Sequence, residues 1–530
     1  MSALRVHDVL VVGSGIGGLT AAALCAADGL DTIVLEGHTR PGGCAGDFKR
    51  RGVTFPAGAT VVMGFEEGGL HRWIYERLGL PIRAERLDLA MQVHLPDQDV
   101  RITTDPADWP HEYRRAFPTL GPGGERFWSK VARLAQVAHE LAGRRPMLPL
   151  ASPYEVLDAV RLLTPALLPN LVPALPALWQ TVGDLLRAEG IHGHLPHRCF
   201  IDNQLLISMQ CLADESIALS GALALEVYRY GSFSLPAGTA SIAQDLLTAL
   251  EARGGRCHYR SWVRTLVRHG DYWIATTAEG EEYAARTVIA NLPPAELAGL
   301  LGNAAPPSLA KAARRRQQPW GAVVLFAALN ADTLPGPLPR YHQVVDSYDG
   351  AVDDGGSCFV SVFGPDPQDR THHGARARLT VSTHTRVDGW WNLPDRPVYA
   401  EQKAAVGARL MRAAERAVPD LQQRLVFSEV ATPRSYARWT GRHEGRVGGV
   451  PQTRSQANLL ALSHRTGVPG LFLCGDSVFP GQGTIGVTLS GINAARSAVR
   501  AAGLAVRRRQ VVVGGTVGVE PAARTSGGRS

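Results

Sequence analysis

Lysine is nearly missing from this chain. Of its 55 basic residues only Lys49, Lys130, Lys311 and Lys403 are lysines. The skew reads mainly as codon bias. The net charge of +7 over 530 residues adds a weak pull toward an anionic membrane face. No Lys/Arg-rich run is interleaved with aromatics, so nucleic acid is not an expected partner. No apolar run reaches the roughly 18 residues that a membrane-spanning helix needs. The N-terminus, MSALRVHDVLVVGSG, lacks the leader and cleavage site of a signal peptide. The seven cysteines (Cys25, Cys44, Cys199, Cys211, Cys257, Cys358 and Cys474) are odd in number, widely spaced and form no CxxC. That pattern argues against structural zinc or a redox disulfide, and a reduced cytoplasmic compartment is expected. There is no GxSxG elbow and no HExxH pair. His372, His373 and His384 have no carboxylate or thiolate set nearby in sequence, so no metal is expected. With 45% hydrophobic and 19% charged residues, collagen-like, coiled-coil and disordered chains are excluded, and the length calls for more than one domain.

What the chain does have begins at once. Val6 to Val12 is a valine-rich apolar run, read as a buried parallel strand. Gly13-Ser14-Gly15-Ile16-Gly17-Gly18 follows, then an Ala/Leu-rich helix over 19–27 and a second strand, 31–35, ending at Glu36. This is GxGxxG inside strand–turn–helix–strand, with an acid about 20 residues on, the pattern of a dinucleotide cradle. Gly13 permits the turn, Gly15 admits a pyrophosphate to the backbone, and Gly18 lets helix and strand pack closely. The helix N-terminus offers N–H groups and partial positive charge to phosphates. Glu36 would accept hydrogen bonds from ribose hydroxyls and would repel a 2′-phosphate, which disfavours an NADP-type ligand.

Two further segments choose between dinucleotides. Arg40-Pro41-Gly42-Gly43 follows Glu36, and Phe55 to Thr60 adds another glycine-centred turn. A simple nicotinamide dehydrogenase needs neither, whereas a flavoprotein uses a second glycine pair to pass its backbone beside the pyrophosphate and ribityl chain. Near the other end, Gly470 to Cys474 reads as a short strand, followed by Gly475-Asp476-Ser477. A helix then begins near Thr484, its apolar Ile485, Leu489 and Ile492 at helical spacing. Strand, acidic turn, Gly483 loop and helix N-terminus suit a flavin ring, because a helix dipole aimed at the flavin's N1 and C2 carbonyl stabilises the charge left by hydride acceptance. Asp476 suits a ribityl hydroxyl better than a phosphate. FAD is therefore the expected cofactor.

The stretches VVGSGIGGLTAA, PGGCAGDFKRRGVTFPAGATVVMGF and LFLCGDSVFPGQGTIGVTLSGINAA resemble the phytoene desaturase / carotenoid isomerase family of FAD-dependent oxidoreductases. In the middle, IDNQLL (201–206), VSTHTRVDGWW (381–391) and YARWTGRHEGRVGGVPQT (436–453) are most similar to its carotenoid 3,4-desaturase branch. The resemblance implies an α/β fold: a Rossmann-type FAD domain with a parallel sheet, plus a discontinuous α+β substrate domain in an amine-oxidase-like architecture. The FAD domain would comprise 1–95, 225–305 and 425–503, the substrate domain 96–224 and 306–424, and a frayed tail 504–530. Cofactor contacts are expected from Gly13, Ser14, Gly15, Ile16, Gly17, Gly18, Glu36, Arg40, Gly42, Gly43, Thr60, Val263, Gly475, Asp476, Gly483, Thr484 and Ile485. Val263 enters through the strand whose valine backbone contacts adenine in the family. One departure stands out. Many relatives carry arginine just after the second glycine pair, where this chain has Cys44, leaving more of the phosphate charge to backbone N–H groups.

The implied activity is removal of hydride and proton from a C40 carotenoid, at a C-3,4 bond. A cis–trans isomerase without net redox change, and a flavin-free prenyl-binding escort of the same fold, are the alternatives. Desaturation leans on conjugation and orientation and demands no activated triad; Asp202, Glu215 and His384 are the polar residues to test as proton acceptors. Residues 153–187 are apolar but interrupted by Pro165, Pro169, Pro173 and Pro176, which forbid one long helix. They read either as a kinked lid over the core or as a patch dipping into the inner face of a membrane, from which a water-insoluble polyene would enter.

Overall fold

The computed structural model describes residues 4–513 except 151, 166, 316–318, 335, 337, 367–368 and 370–373, with backbone alone for 315 and 504–513. His372 and His373 thus lie outside the described residues.

Two sheets organise the chain. The first runs, in order, Val263–His269, Tyr272–Thr277, Glu282–Ala290, Val6–Val12, Thr32–Leu35 and Arg256–His258, with Leu471–Leu473 against the far end of Glu282–Ala290. Its central strands are parallel: Val12 pairs with both Leu35 and Ala290, and Ala290 with Leu473. Segments about 460 residues apart therefore end side by side at one C-terminal edge, where ligands bind in open α/β sheets.

Helix Ile16–Ala27 is buried along almost its whole length because helices cover it on two sides, Ala240–Glu251 and Gly483–Val513. The close approach of its first turn to the terminal helix depends on absent side chains. A Cβ on Gly491 would lie 2.3 Å from the Gly17 carbonyl oxygen. Small residues at this crossing let the first and last parts of the chain share one core.

The second sheet, in order Leu425–Ala431, Trp320–Asn330, Arg376–Arg386, Ser357–Phe363, Tyr341–Val345, Leu89–His94 and Asp99–Thr103, is antiparallel except where Tyr341–Val345 meets Leu89–His94. Helix Arg396–Ala417 packs against it. A helical layer that includes Gly121–Gly143, Leu195–Met209 and Ala218–Tyr230 forms a separate apolar core.

Three expected boundaries move. Leu89–His94 and Leu425–Ala431, assigned from the sequence to the FAD domain, are strands of the second sheet, and Ala218–Tyr230 runs through the boundary drawn at 225. Strand partnership depends on distant segments that local pattern does not encode. The terminal helix continues to Val513, ten residues into the stretch read as a frayed tail. Residues 514–530 lie outside the described residues.

The proline-rich segment breaks as its prolines require, into helices Pro153–Leu162 and Leu168–Ala174, a 3₁₀ turn Leu175–Leu178, and helix Val182–Ala188. Glu155, wholly buried, pairs with Arg465, and Asp158 with Arg496 at 2.8 Å, tying the first of these helices to the body. Among the described residues no helix is long and apolar enough to cross a membrane.

Candidate active site

At the C-terminal edge of the first sheet the chain makes a glycine turn directly after Val12. Gly13 N–H donates to the Leu35 carbonyl (2.8 Å), and Asn291 N–H to that of Val12 (2.9 Å). Helix Ile16–Ala27 starts at Gly15 with no side chain capping it and no acid in its first turn. Its leading N–H groups, which have no intrahelical acceptor, are thus left to a ligand. The second glycine pair closes on this turn: Gly42 N–H donates to the Ser14 carbonyl, and Gly15 and Gly42 form a parallel bridge. A Cβ on Gly15 would stand 2.5 Å from Asn291 Nδ2, and one on Gly42 2.6 Å from Gly46 Cα. Such a cradle of bare backbone fits a dinucleotide pyrophosphate.

Glu36 sits at the end of Thr32–Leu35. One carboxylate oxygen accepts from Ser14 N–H (2.8 Å) and Ser14 Oγ–H (2.5 Å), the other from His38 N–H (2.8 Å). The carboxylate is thereby fixed at the cavity wall, as recognition of a ribose requires. Beyond it Trp262 and Trp439 flank His38, an aromatic rim suited to a purine.

A single cavity of about 1770 Å³ joins these parts. Gly13, Gly15, Ile16, Gly17, Glu36, Arg40, Gly42, Gly43, Thr60, Val263, Gly475, Asp476, Gly483, Thr484 and Ile485 all line it. Ser14 and Gly18 stand behind the wall instead, Ser14 on Glu36 and Gly18 against the turn backbone. Arg40 is at the rim, paired with Asp47. Thr60 ties its loop to the second sheet: its hydroxyl bonds Ser361 Oγ (2.8 Å), and its carbonyl accepts from Tyr341 OH (2.7 Å).

Past the cradle the cavity turns apolar and runs beneath the proline-broken helices, whose Leu162, Leu171, Ala174 and Leu178 face inward. Val160, Val172 and Trp179 face outward, 58, 60 and 57% exposed. The segment is thus a lid on its inner face and an exposed apolar patch on its outer face.

Of the polar residues named as proton acceptors, only His384 reaches the cavity. Asp202 accepts from Arg198 Nε (2.8 Å) and Ala213 N–H (2.7 Å), outside the cavity, and Glu215 is solvent-exposed. Their carboxylates are committed to an ion pair and a loop N–H, or to water, a distinction that residue type alone does not carry. Burial pushes the His384 imidazole down to about 4, so it is neutral near pH 7. Gln210 Nε2 lies 3.0 Å from its Nε2 and donates to it. Among the described residues no group of three His, Cys, Asp or Glu is placed to hold a metal.

Two wall residues escaped the sequence reading. Asn291 presents its amide between Gly13, Gly15 and Gly475; its position just after a parallel strand was the available signal. Arg442, inside the 436–453 stretch that carried the resemblance but not singled out there, pairs with Asp476 at 2.7 Å.

The flavin containing amine oxidoreductase family model matches residues 16–499. Prolycopene isomerase of Arabidopsis thaliana is 27% identical over 96% of this chain and 85% of its own length. Hydroxyneurosporene desaturase of Rubrivivax gelatinosus is 27% identical over 99% of both chains. Among solved structures, cyclohexylamine oxidase from Brevibacterium oxydans aligns with TM-score 0.57 at 16% identity, covering 95% of this chain and all of the other. That likeness bears on the fold.

Proposed function

The chain belongs to the flavin containing amine oxidoreductase family, and on that premise we propose that it is an FAD-dependent carotenoid desaturase working at a membrane surface. The observation that carries this reading is the continuity of one cavity from a glycine cradle to an apolar tunnel under an apolar lid. Its volume of about 1770 Å³ exceeds the roughly 300–1,000 Å³ of a single-ligand site and suits a dinucleotide plus a long hydrophobic chain. The full-length match to a hydroxyneurosporene desaturase supports the same substrate class.

We assign Gly13, Gly15, Gly42, Gly43 and the start of Ile16–Ala27 to the pyrophosphate, and Glu36 to the adenosine ribose. Val263 would meet the adenine, Gly475 and Asp476 the ribityl chain, and Gly483, Thr484 and Ile485 the ring. FAD bound there supplies a hydride acceptor. The tunnel aligns the polyene against that acceptor and excludes water, so orientation contributes much of the rate. The proton on the neighbouring carbon needs an acceptor, and the neutral His384 imidazole is the candidate on the wall, its Nε2 exchanging the Gln210 Nε2 donor for that proton. A C-3,4 bond is the assigned position, following the branch resemblance at 381–391 and 436–453.

His384→Gln is expected to slow turnover about a hundredfold or more, the span of general-base effects, with FAD content unchanged. Because the ring is neutral down to about 4, the His384-dependent rate holds from pH 7 to about 5, where an ordinary histidine would protonate. A loss under twofold, or a fall in rate centred near the ordinary histidine value, removes His384 from this role.

An isomerase is the second reading, favoured by the match to prolycopene isomerases over nearly the whole chain. Co-expression with carotenoid biosynthesis, followed by mass analysis of the pigments, separates the two. A desaturase removes two hydrogens per new double bond, whereas an isomerase alters retention time and spectrum at constant mass.

A further inference from the structure

One short segment runs along the cofactor end of the cavity from the side of the second sheet. Helix Pro433–Thr440, the Gly441 turn and the 3₁₀ turn His443–Gly445 follow directly on the edge strand Leu425–Ala431. Their contacts with the first sheet's loops run the length of the cradle. Tyr436 OH donates to the Ala57 carbonyl (3.1 Å), and Arg442 pairs with Asp476 (2.7 Å). At the Glu36 end the His38 ring donates to the Trp439 carbonyl, and His443 N–H donates to Glu296 Oε1 (2.8 Å). Trp439 lines the cavity and is itself 60% exposed, so no further layer of protein covers the segment there.

Trp262 fastens this segment. A Cβ on Gly37 would stand 2.2 Å from its Cε3, and one on Gly441 2.3 Å from its Cζ2, atoms at opposite ends of the indole's six-membered ring. Gly37 comes directly after Glu36, at the end of the Rossmann strand. Gly441 closes helix Pro433–Thr440 in left-handed backbone, with φ 67°. The indole thus lies against bare backbone of two segments about 400 residues apart, a fit that a side chain at either glycine would break. A dinucleotide held at Gly13–Gly15 and Glu36 lies between the first sheet and this segment. The attachments that shut it in are a few hydrogen bonds, one ion pair and one packed ring, each weak by itself, and such loops and helix ends open locally at low cost.

We propose that residues 433–446 form a strap over the adenosine half of the cofactor site, fastened by the Trp262 indole wedged between Gly37 and Gly441, and that cofactor exchange waits on release of that wedge. The proposal rests on the cofactor site assigned above.

The test is the rate of FAD uptake by apoprotein and of FAD release on dilution, both read by flavin fluorescence and independent of turnover. A gate slows entry and exit together, so loosening it raises both rates and changes affinity less than either. Trp262→Ala is expected to speed release at least about tenfold and uptake severalfold. Gly441→Ala displaces the indole while leaving every other side chain in place. It should act in the same direction, and it keeps the proposal testable if Trp262→Ala fails to fold. Faster release with unchanged or slower uptake in both variants would mean that Trp262 simply touches the nucleotide, and would overturn the strap. Wild-type rates in both variants would overturn it as well, with the cofactor assignment left standing. Wild-type apoprotein that takes up no FAD would remove that assignment and the strap with it.

Discussion

Gly18→Ala should yield protein that retains little or no flavin. A Cβ at this position would lie 2.2 Å from the Gly13 carbonyl oxygen, with Asn291 Cβ at 3.0 Å. The first obstacle is backbone and has no rotamer to retreat into, so the turn itself must move. Overpacking of this kind costs about 1–3 kcal/mol or more, and it falls on the atoms that shape the pyrophosphate cradle. FAD affinity is expected to drop at least about a hundredfold, with melting lowered by several degrees. Gly389→Ala is the control, since its Cβ would meet no atom within 4 Å; it should leave flavin content unchanged. A yellow Gly18→Ala protein with unaltered affinity would place the cofactor elsewhere.

The second large effect concerns the outer face of the lid. Val160, Val172 and Trp179 project from helices or turns whose opposite side lines the tunnel. Each is more than half exposed and contributes roughly 1 kcal/mol or more if it enters lipid. Changing all three to glutamate is expected to lower binding to anionic liposomes at least about hundredfold. FAD content and melting should stay as they are, because these side chains point away from the core. Conversion of carotenoid embedded in the liposomes should fall in parallel. Undiminished sedimentation with liposomes would leave the patch without this role.

The parts of the molecule legible in its sequence are those whose chemistry is local. The Gly13–Gly18 turn, the strand before it, Glu36 after it and the helix start near Thr484 each follow from a few neighbouring residues, and the structure brings them to one edge. Val263 was located through resemblance and Thr60 through its glycine-centred turn, and both line the same cavity. Arg442 and Asn291 were illegible because their roles exist only where distant segments meet. The same holds for Leu89–His94 and Leu425–Ala431, whose sheet is decided by partners more than 100 residues away in the first case and about 100 in the second. Asp202, Glu215 and His384 look alike as bases in sequence; burial and pairing separate them. The prolines of 153–187 announced a broken helix but not that one face would roof the tunnel while the other met solvent.

The most direct measurement mixes purified holoprotein with one equivalent of carotenoid in liposomes, without oxygen, and follows both the visible flavin band and the mass of the pigment. A desaturase bleaches the band in step with a product lighter by two hydrogens. A band that stays oxidised while the carotenoid changes isomer at constant mass, or a colourless protein that binds the polyene unchanged, would contradict the assignment.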